Sequence, residues 1–144
     1  MAVVYFDASA LVKLVVEEAG SRIAADLWDG CDAAVASRLA YPEVRAALAA
    51  AGRNHVLDAV AQADAESAWE EFWSATRAVE LTRSVERNAG RLAAIHALRG
   101  ADAVHLASAL ALGDSGLVLA AWDRRLRVGA QQAGLAIAPS DLTA

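Results

Sequence analysis

Short apolar runs alternate with helix-period segments along the whole chain, and that alternation leaves few folds open. Val3–Phe6 is apolar throughout, as a strand buried on both faces has to be. Ser9 to Glu18 then reads as a short helix and Ser21 to Trp28 as a second, with Ile23, Ala24, Leu27 and Trp28 on one side. Asp32–Ala36 is a candidate second strand. Pro42 suits the first turn of a helix, and Val44, Ala47, Leu48 and Ala51 keep helical spacing up to Gly52. Val56 to about Arg77 holds a helical period through Leu57, Val60, Ala61, Ala68, Trp69, Phe72 and Trp73. Val79–Leu81 is short enough for a strand, Ser84 to Leu98 is helical, and Asp102 to Leu112 is apolar nearly all round, as in a buried helix. Leu117–Ala121 reads as a strand, Arg124 to Ala133 as a helix, and Leu135–Ala138 as a last strand or extended tail. Strands that alternate with helices imply a parallel sheet covered on both faces. No repeat, linker or low-complexity tract interrupts the 144 residues, so residues 1–144 are expected to form a single three-layer α/β/α domain with a mostly parallel central sheet.

Four acids stand where strand-like runs meet helices. Asp7 follows Val3–Phe6, Glu43 follows Pro42, Asp102 lies in Gly100-Ala101-Asp102-Ala103-Val104-His105, and Asp123 closes Leu119-Ala120-Ala121-Trp122-Asp123. In open α/β sheets, ligands bind outside the carboxyl ends of the strands, so acids distant in sequence can converge there. Converging carboxylates repel one another, and a divalent cation removes that cost. Each acid also has a plainer use: Asp7, Asp102 and Asp123 could be helix N-caps, and Glu43 suits the positive end of a helix dipole. Needing only caps, a sequence could use Ser, Thr or Asn without accumulating charge. Carboxylate oxygens suit Mg²⁺ or Mn²⁺, which activate water and stabilise charge on a phosphoryl group. A zinc site finds no paired Cys/His spacing around Cys31, His55, His96 or His105. His105, three residues after Asp102, is read as a hydrogen-bonded, partly buried histidine in preference to a substrate contact.

Composition narrows the partners. A hydrophobic fraction of 57% with 6% aromatic means a core of Ala, Val and Leu. No apolar stretch approaches the roughly 18 residues that cross a bilayer, and the amino-terminal residues lack a signal-peptide pattern. With one cysteine there is no intramolecular disulfide, so a cytoplasmic location is expected and no membrane association. A net charge of −5 argues against a broad phosphate-binding face, though not against nucleic acid held at a metal centre.

The segment Tyr5-Phe6-Asp7-Ala8-Ser9-Ala10-Leu11-Val12-Lys13 resembles the opening of a PIN domain, in particular that of the VapC toxins of bacterial toxin–antitoxin pairs. Ser37–Glu43 with its following helix is similar to the second motif of that family. Gly100–Ala107 is similar to the third and Trp122-Asp123-Arg124-Arg125-Leu126 to the fourth, so the likeness spans essentially the whole chain. The resemblance implies a PIN-like fold and a Mg²⁺-dependent endoribonuclease centre, with Mn²⁺ able to substitute. Asp7, Glu43, Asp102 and Asp123 are its implied catalytic acids, with Asp7, Asp102 and Asp123 on the metal. Ser9 is the implied hydroxyl beside the first acid, and Arg124 is expected, with Arg125 or Arg127, to grip RNA phosphate at the rim. An antitoxin of the VapB type is implied as partner, in a homodimer or toxin–antitoxin hetero-oligomer, its apolar segment covering helices that carry Leu11, Val15, Trp28 and Trp69. One departure is plain: the family often carries Thr or Ser shortly before the fourth acid, where this chain has Ala120 and Ala121.

Other chemistries fit less well. A phosphatase using Asp7 as nucleophile ordinarily has a second Asp two residues on, where Ser9 stands, and a receiver-like domain needs a late lysine, whereas Lys13 is the only one. A PIN-like fold kept for binding alone has no need of all four acids.

Overall fold

The computed structural model describes residues 2–142. Five strands form one sheet in the order β3-β2-β1-β4-β5: β1 (Val3–Phe6), β2 (Ala33–Ser37), β3 (Arg77–Val79), β4 (Val118–Ala120) and β5 (Ala136–Ala138). Every pairing is parallel, so the sheet is parallel throughout, and the carboxyl-terminal run is a strand and not a tail. β1 lies between β2 and β4, with Val4 opposite both Ala34 and Val118. The chain lays β2 and β3 on one side of β1, then returns to lay β4 and β5 on the other. The strand order therefore reverses between β1 and β4, where open sheets of this kind leave a crevice at their carboxyl ends.

Alternate residues on each strand point to opposite faces, and the two faces build two cores. Val4, Phe6, Ala34, Ala36 and Ala120 pack under α1 (Ala8–Val15), α2 (Ser21–Gly30), α3 (Ala40–Arg53) and α4 (Ala59–Ser74). Tyr5, Val35, Leu119 and Ala121 pack under α5 (Arg83–His96), α6 (Gly100–Ala111) and α7 (Arg124–Gln132). The buried helix expected near Asp102 is α6, where Ala103, His105, Leu106, Ala107, Ser108 and Ala109 are all buried.

Several boundaries differ from the sequence reading for local reasons. The helix after Asp7 stops at Val15 and not Glu18, because two glutamates at a helix carboxyl end oppose its dipole. Ser21 Oγ instead donates to the Val16 carbonyl and accepts from Glu18 N. The long central helix starts later, at Ala59, where Asp58 caps it by accepting from Ala61 N. It ends at Ser74, which frees Arg77–Val79 to pair with Val35–Ser37, so the strand ends two residues ahead of the expected end.

The aromatic cluster is core. Trp69 is fully buried, stacked on Tyr41 at 6.0 Å and tilted against Trp73 at 5.5 Å. Leu11 is equally buried beneath the same helices. The expectation that Leu11 and Trp69 present surface to a partner is therefore corrected: each is completely covered by its own chain. Val15 and Trp28 are only half-buried, with Trp28 edge-on to Phe72 at 5.0 Å. Truncating the buried indole leaves a large cavity, so Trp69→Ala should cost about 3–5 kcal/mol of folding stability. Val60→Ala, on the exposed side of the same helix, should stay within about 0.5 kcal/mol. Urea unfolding of the two variants checks the contrast.

Candidate active site

The candidate site lies along the carboxyl edge of the sheet, where β1 and β4 point. Asp7 follows β1 directly; its backbone N donates to the Ala120 carbonyl at 3.2 Å, tying the β1 exit to the end of β4. Asp7 is also the N-cap of α1. Its Oδ1 accepts from Ala10 N at 2.9 Å and from Ser9 Oγ at 2.8 Å, so the hydroxyl expected beside the first acid does contact it. Asp123 likewise caps α7, its Oδ1 accepting from Leu126 N at 3.0 Å. Asp102 is not a cap: α6 begins at Gly100, which places Asp102 in the first turn behind Arg99, whose side chain makes no capping bond.

Glu43 reaches the edge from the opposite layer. It occupies the first turn of α3, one residue from the buried stripe of Ala40, Val44 and Leu48. Its Oε1 lies 2.6 Å from His105 Nε2 on α6. A carboxylate only accepts, so Nε2 carries the proton. His105 Nδ1 lies 2.7 Å from the Tyr5 hydroxyl, whose oxygen accepts from Ser37 N at 3.1 Å and whose hydrogen is thereby directed to Nδ1. This relay from β2 through Tyr5 and His105 to Glu43 fixes the carboxylate's position across the sheet edge. His105 is buried with partners on both nitrogens, as the sequence reading preferred, and more deeply than expected. Burial pushes the Tyr5 hydroxyl well above its ordinary value, so it stays protonated as the relay requires.

Burial also pushes the Asp7 carboxyl above the usual carboxylate range; nearby His105 and the bonds from Ala10 N and Ser9 pull partly back, and Glu43 pushes further up. On the other side of the site Arg99 spans two acids. Its Nε donates to Asp102 Oδ2 at 3.1 Å and its Nη2 to Asp123 Oδ2 at 3.3 Å. Its guanidinium is held above the ordinary arginine value by the bond to Asp102, then by the charges of Asp102 and Asp123. The structure thus groups Asp7 with Glu43 and His105, and Asp102 with Asp123 through Arg99. Among the described residues, no three His, Cys, Asp or Glu side chains stand together as a closed ion cage. The donor chemistry nevertheless suits a hard divalent ion: all four acids offer oxygen, Asp7 lies in a dry position that disfavours its charge, and Arg99 already stands as a cation between the other two. Asp7, Asp102 and Asp123 are the residues that could hold such an ion.

Arg99 is the functional residue the sequence reading passed over; its signal was its place three residues before Asp102 on a helix start. It lines a cleft of about 550 Å³ with Trp122, Asp123, Arg124 and Arg125. Arg124 and Arg125 are exposed there, in keeping with a rim role. Arg127 corrects the expectation of a rim contact: it is buried and donates to the Ala121 carbonyl at 3.0 Å, bracing α7 against the β4 exit. Burial lowers its guanidinium from the ordinary value. Ala120 and Ala121 are fully buried on opposite faces of the sheet, so a hydroxyl at either would enter an apolar core. Lys13 pairs with Glu18 at 3.5 Å and lies 5.0 Å over the Trp122 ring, against which Gly20 also packs; it pins the α1–α2 turn.

Comparison with known proteins agrees with this geometry. The PIN domain family matches residues 4–130. Ribonuclease VapC45 and ribonuclease VapC49 of two Mycobacterium tuberculosis strains (CDC 1551 / Oshkosh and H37Rv) are each 68% identical over 142 residues, covering 99% of both chains. PAE2754 from Pyrobaculum aerophilum superposes with a TM-score of 0.69 at 22% identity, over 94% of this chain and 83% of that one. A toxin–antitoxin complex from Klebsiella pneumoniae gives 0.64 at 19% identity, over 90% and 92%. Parallel sheet, edge acids and sequence define one class, and the chain belongs to the PIN domain family. Within that family it groups with the VapC ribonucleases.

The dry position of Asp7 has a measurable consequence. A carboxyl whose folded pKa lies above its unfolded value contributes stability that is full below the unfolded value and is lost as pH rises through the folded one. Asp7→Asn keeps the capping acceptor and carries no charge. In EDTA it should therefore melt above the parent at pH 7, with the gain vanishing below about pH 4, where Asp is protonated in both states. Melts at the two pH values check this; a variant no more stable at pH 7 contradicts it.

Proposed function

We propose that this chain is a metal-dependent endoribonuclease, using Mg²⁺ with Mn²⁺ as substitute, and the toxin half of a toxin–antitoxin pair. The observation that carries the reading is the set of four acids at the β1/β4 edge beside an arginine-lined cleft, in a chain 68% identical to two proteins named as ribonucleases. Asp7, Asp102 and Asp123 would hold the ion, which when bound supplies positive charge to a phosphoryl oxygen and acidifies a water. Glu43, fixed by His105, would offer a carboxylate to orient an attacking water and take its proton. Ser9 holds Asp7 in place, and Arg124 and Arg125 at the cleft rim neutralise RNA phosphates on either side of the cut. RNA is the substrate that suits a cleft lined by Arg99, Arg124 and Arg125 in a chain whose net charge is −5.

Asp7→Asn and Asp102→Asn should each reduce cleavage of a mixed RNA pool by more than about a hundredfold, beyond what loss of an outer-shell partner ordinarily costs. Full activity of either, with contaminating nuclease excluded, would overturn the reading. Mg²⁺ or Mn²⁺ should raise the melting temperature by mass action, and EDTA should abolish cleavage without unfolding the chain.

An antitoxin of the VapB type is the natural partner, because uncontrolled cleavage of cellular RNA harms the cell that carries it, and a structural neighbour is itself a toxin–antitoxin complex. Its apolar segment would meet Val15 and Trp28, the half-buried members of the helix surface. Trp28→Ala should weaken that complex by about 2 kcal/mol or more if the ring is an anchor, judged against the variant's own stability.

A further inference from the structure

Glu43 and the Asp102–Asp123 pair meet their hydrogen-bond donors in opposite ways. The His105 side chain, against Glu43, is 3% exposed and fixed at both nitrogens, so that contact belongs to the fold. The Arg99 side chain is 70% exposed, while Asp102 and Asp123 are 12% and 34% exposed. Its backbone begins α6, with Ala103 N donating to the Arg99 carbonyl, but its side chain makes no capping bond. The guanidinium can therefore leave the two acids without disturbing the helix. Ion pairs made from so exposed a cation hold little free energy. Its planar fork meets the two carboxylates through different nitrogens, bridging residues on α6 and at the β4 exit that would otherwise repel.

We propose that Arg99 is an exchangeable internal cation: it holds Asp102 and Asp123 while no divalent ion is bound, and the ion turns it away from them toward Arg124 and Arg125, across the cleft that all three line. This rests on the metal-dependent reading above. Two positive charges cannot share one pair of carboxylates at low cost, so arginine and ion must compete. Arg99 already lines that cleft, so displacement frees a guanidinium there from its two carboxylates only when the ion is present, which makes the cleft most attractive to a phosphate when the acids are loaded. Arg99 is thus a positioning residue and not a ligand.

The test is calorimetric titration of EDTA-stripped, dialysed protein with Mn²⁺ alone, comparing the parent with Arg99→Gln and with Arg91→Gln. Arg91 is exposed and paired with Asn88 on α5, so its loss makes the same change in net charge outside the site. Arg99→Gln should bind Mn²⁺ about two- to fivefold more tightly, with Arg91→Gln unchanged. In a parallel Mg²⁺ titration by NMR, the Arg99 Nε–H signal, assigned by its absence in Arg99→Gln, should move with the midpoint of ion binding. Unchanged or weaker Mn²⁺ binding by Arg99→Gln, an equal gain in Arg91→Gln, or a stationary Nε–H signal would each overturn the exchange. A parent that binds no Mn²⁺ at all would instead remove the metal-dependent reading, and the exchange with it.

Discussion

Negative charge gathered at a half-dry sheet edge has to be offset, and the rest of the site follows from how that is done. Four acids sit where β1 and β4 end, and water reaches them unequally. Asp7 is buried against the edge, and its cost appears as a carboxyl pushed toward its neutral form. Glu43 is offset by a histidine that the core itself immobilises, through Tyr5 and the backbone of Ser37. Asp102 and Asp123 are offset by an arginine that nothing else holds. One edge therefore combines a buried half and a solvent-exposed half, and the dividing line is burial.

The fold was legible because its signals are local and repeated. Apolar runs of strand length, each followed by a helical period, imply a parallel sheet with helices on both faces, and the structure has that form. Only the boundaries escaped, where the deciding term lay in a cap or a register partner. Asp58 is a visible cap that apolar periodicity overran, and the position of β3 was set by Val35–Ser37, a contact no local window contains. The acids were legible for the same reason as the strands, since each stands at the start of a helix, Asp7 and Asp123 as caps and Glu43 and Asp102 in the first turn. Arg99 and the depth of His105 were not, because both depend on which helix lies across which strand. Tyr5 and His105 are a hundred residues apart and meet only because β1 is central and α6 covers its odd-numbered face.

The aromatic residues show the limit from the other side. Trp69 and Trp73 lie on one helical turn, and nothing in the spacing says which ring the fold covers. Tyr41 of α3 lies against both rings, yet only Trp69 is fully buried, so the difference is a tertiary fact that spacing does not carry. Trp28 stays half-buried because Phe6 and Phe72 cover only part of its ring.

Helix capping and the proposed site role, which the sequence left as alternatives at Asp7 and Asp123, do not exclude each other. Each carboxylate commits Oδ1 to the first turn of its helix: Asp7 to Ala10 N and Ser9, Asp123 to Leu126 N. None of these bonds uses Oδ2, and at Asp123 it is Oδ2 that Arg99 contacts. Capping fixes the rotamer, so the second oxygen is aimed at the sheet edge before any ligand arrives, and the ordering entropy is met during folding. Ser, Thr or Asn would cap as well, but none offers a second anionic oxygen in that fixed direction. Two caps that are both aspartate, on helices that start from adjacent strand ends, thus leave two fixed anionic oxygens at the sheet edge, as the proposed cation site would need. A cap preference and a functional constraint here select the same residue for connected physical reasons.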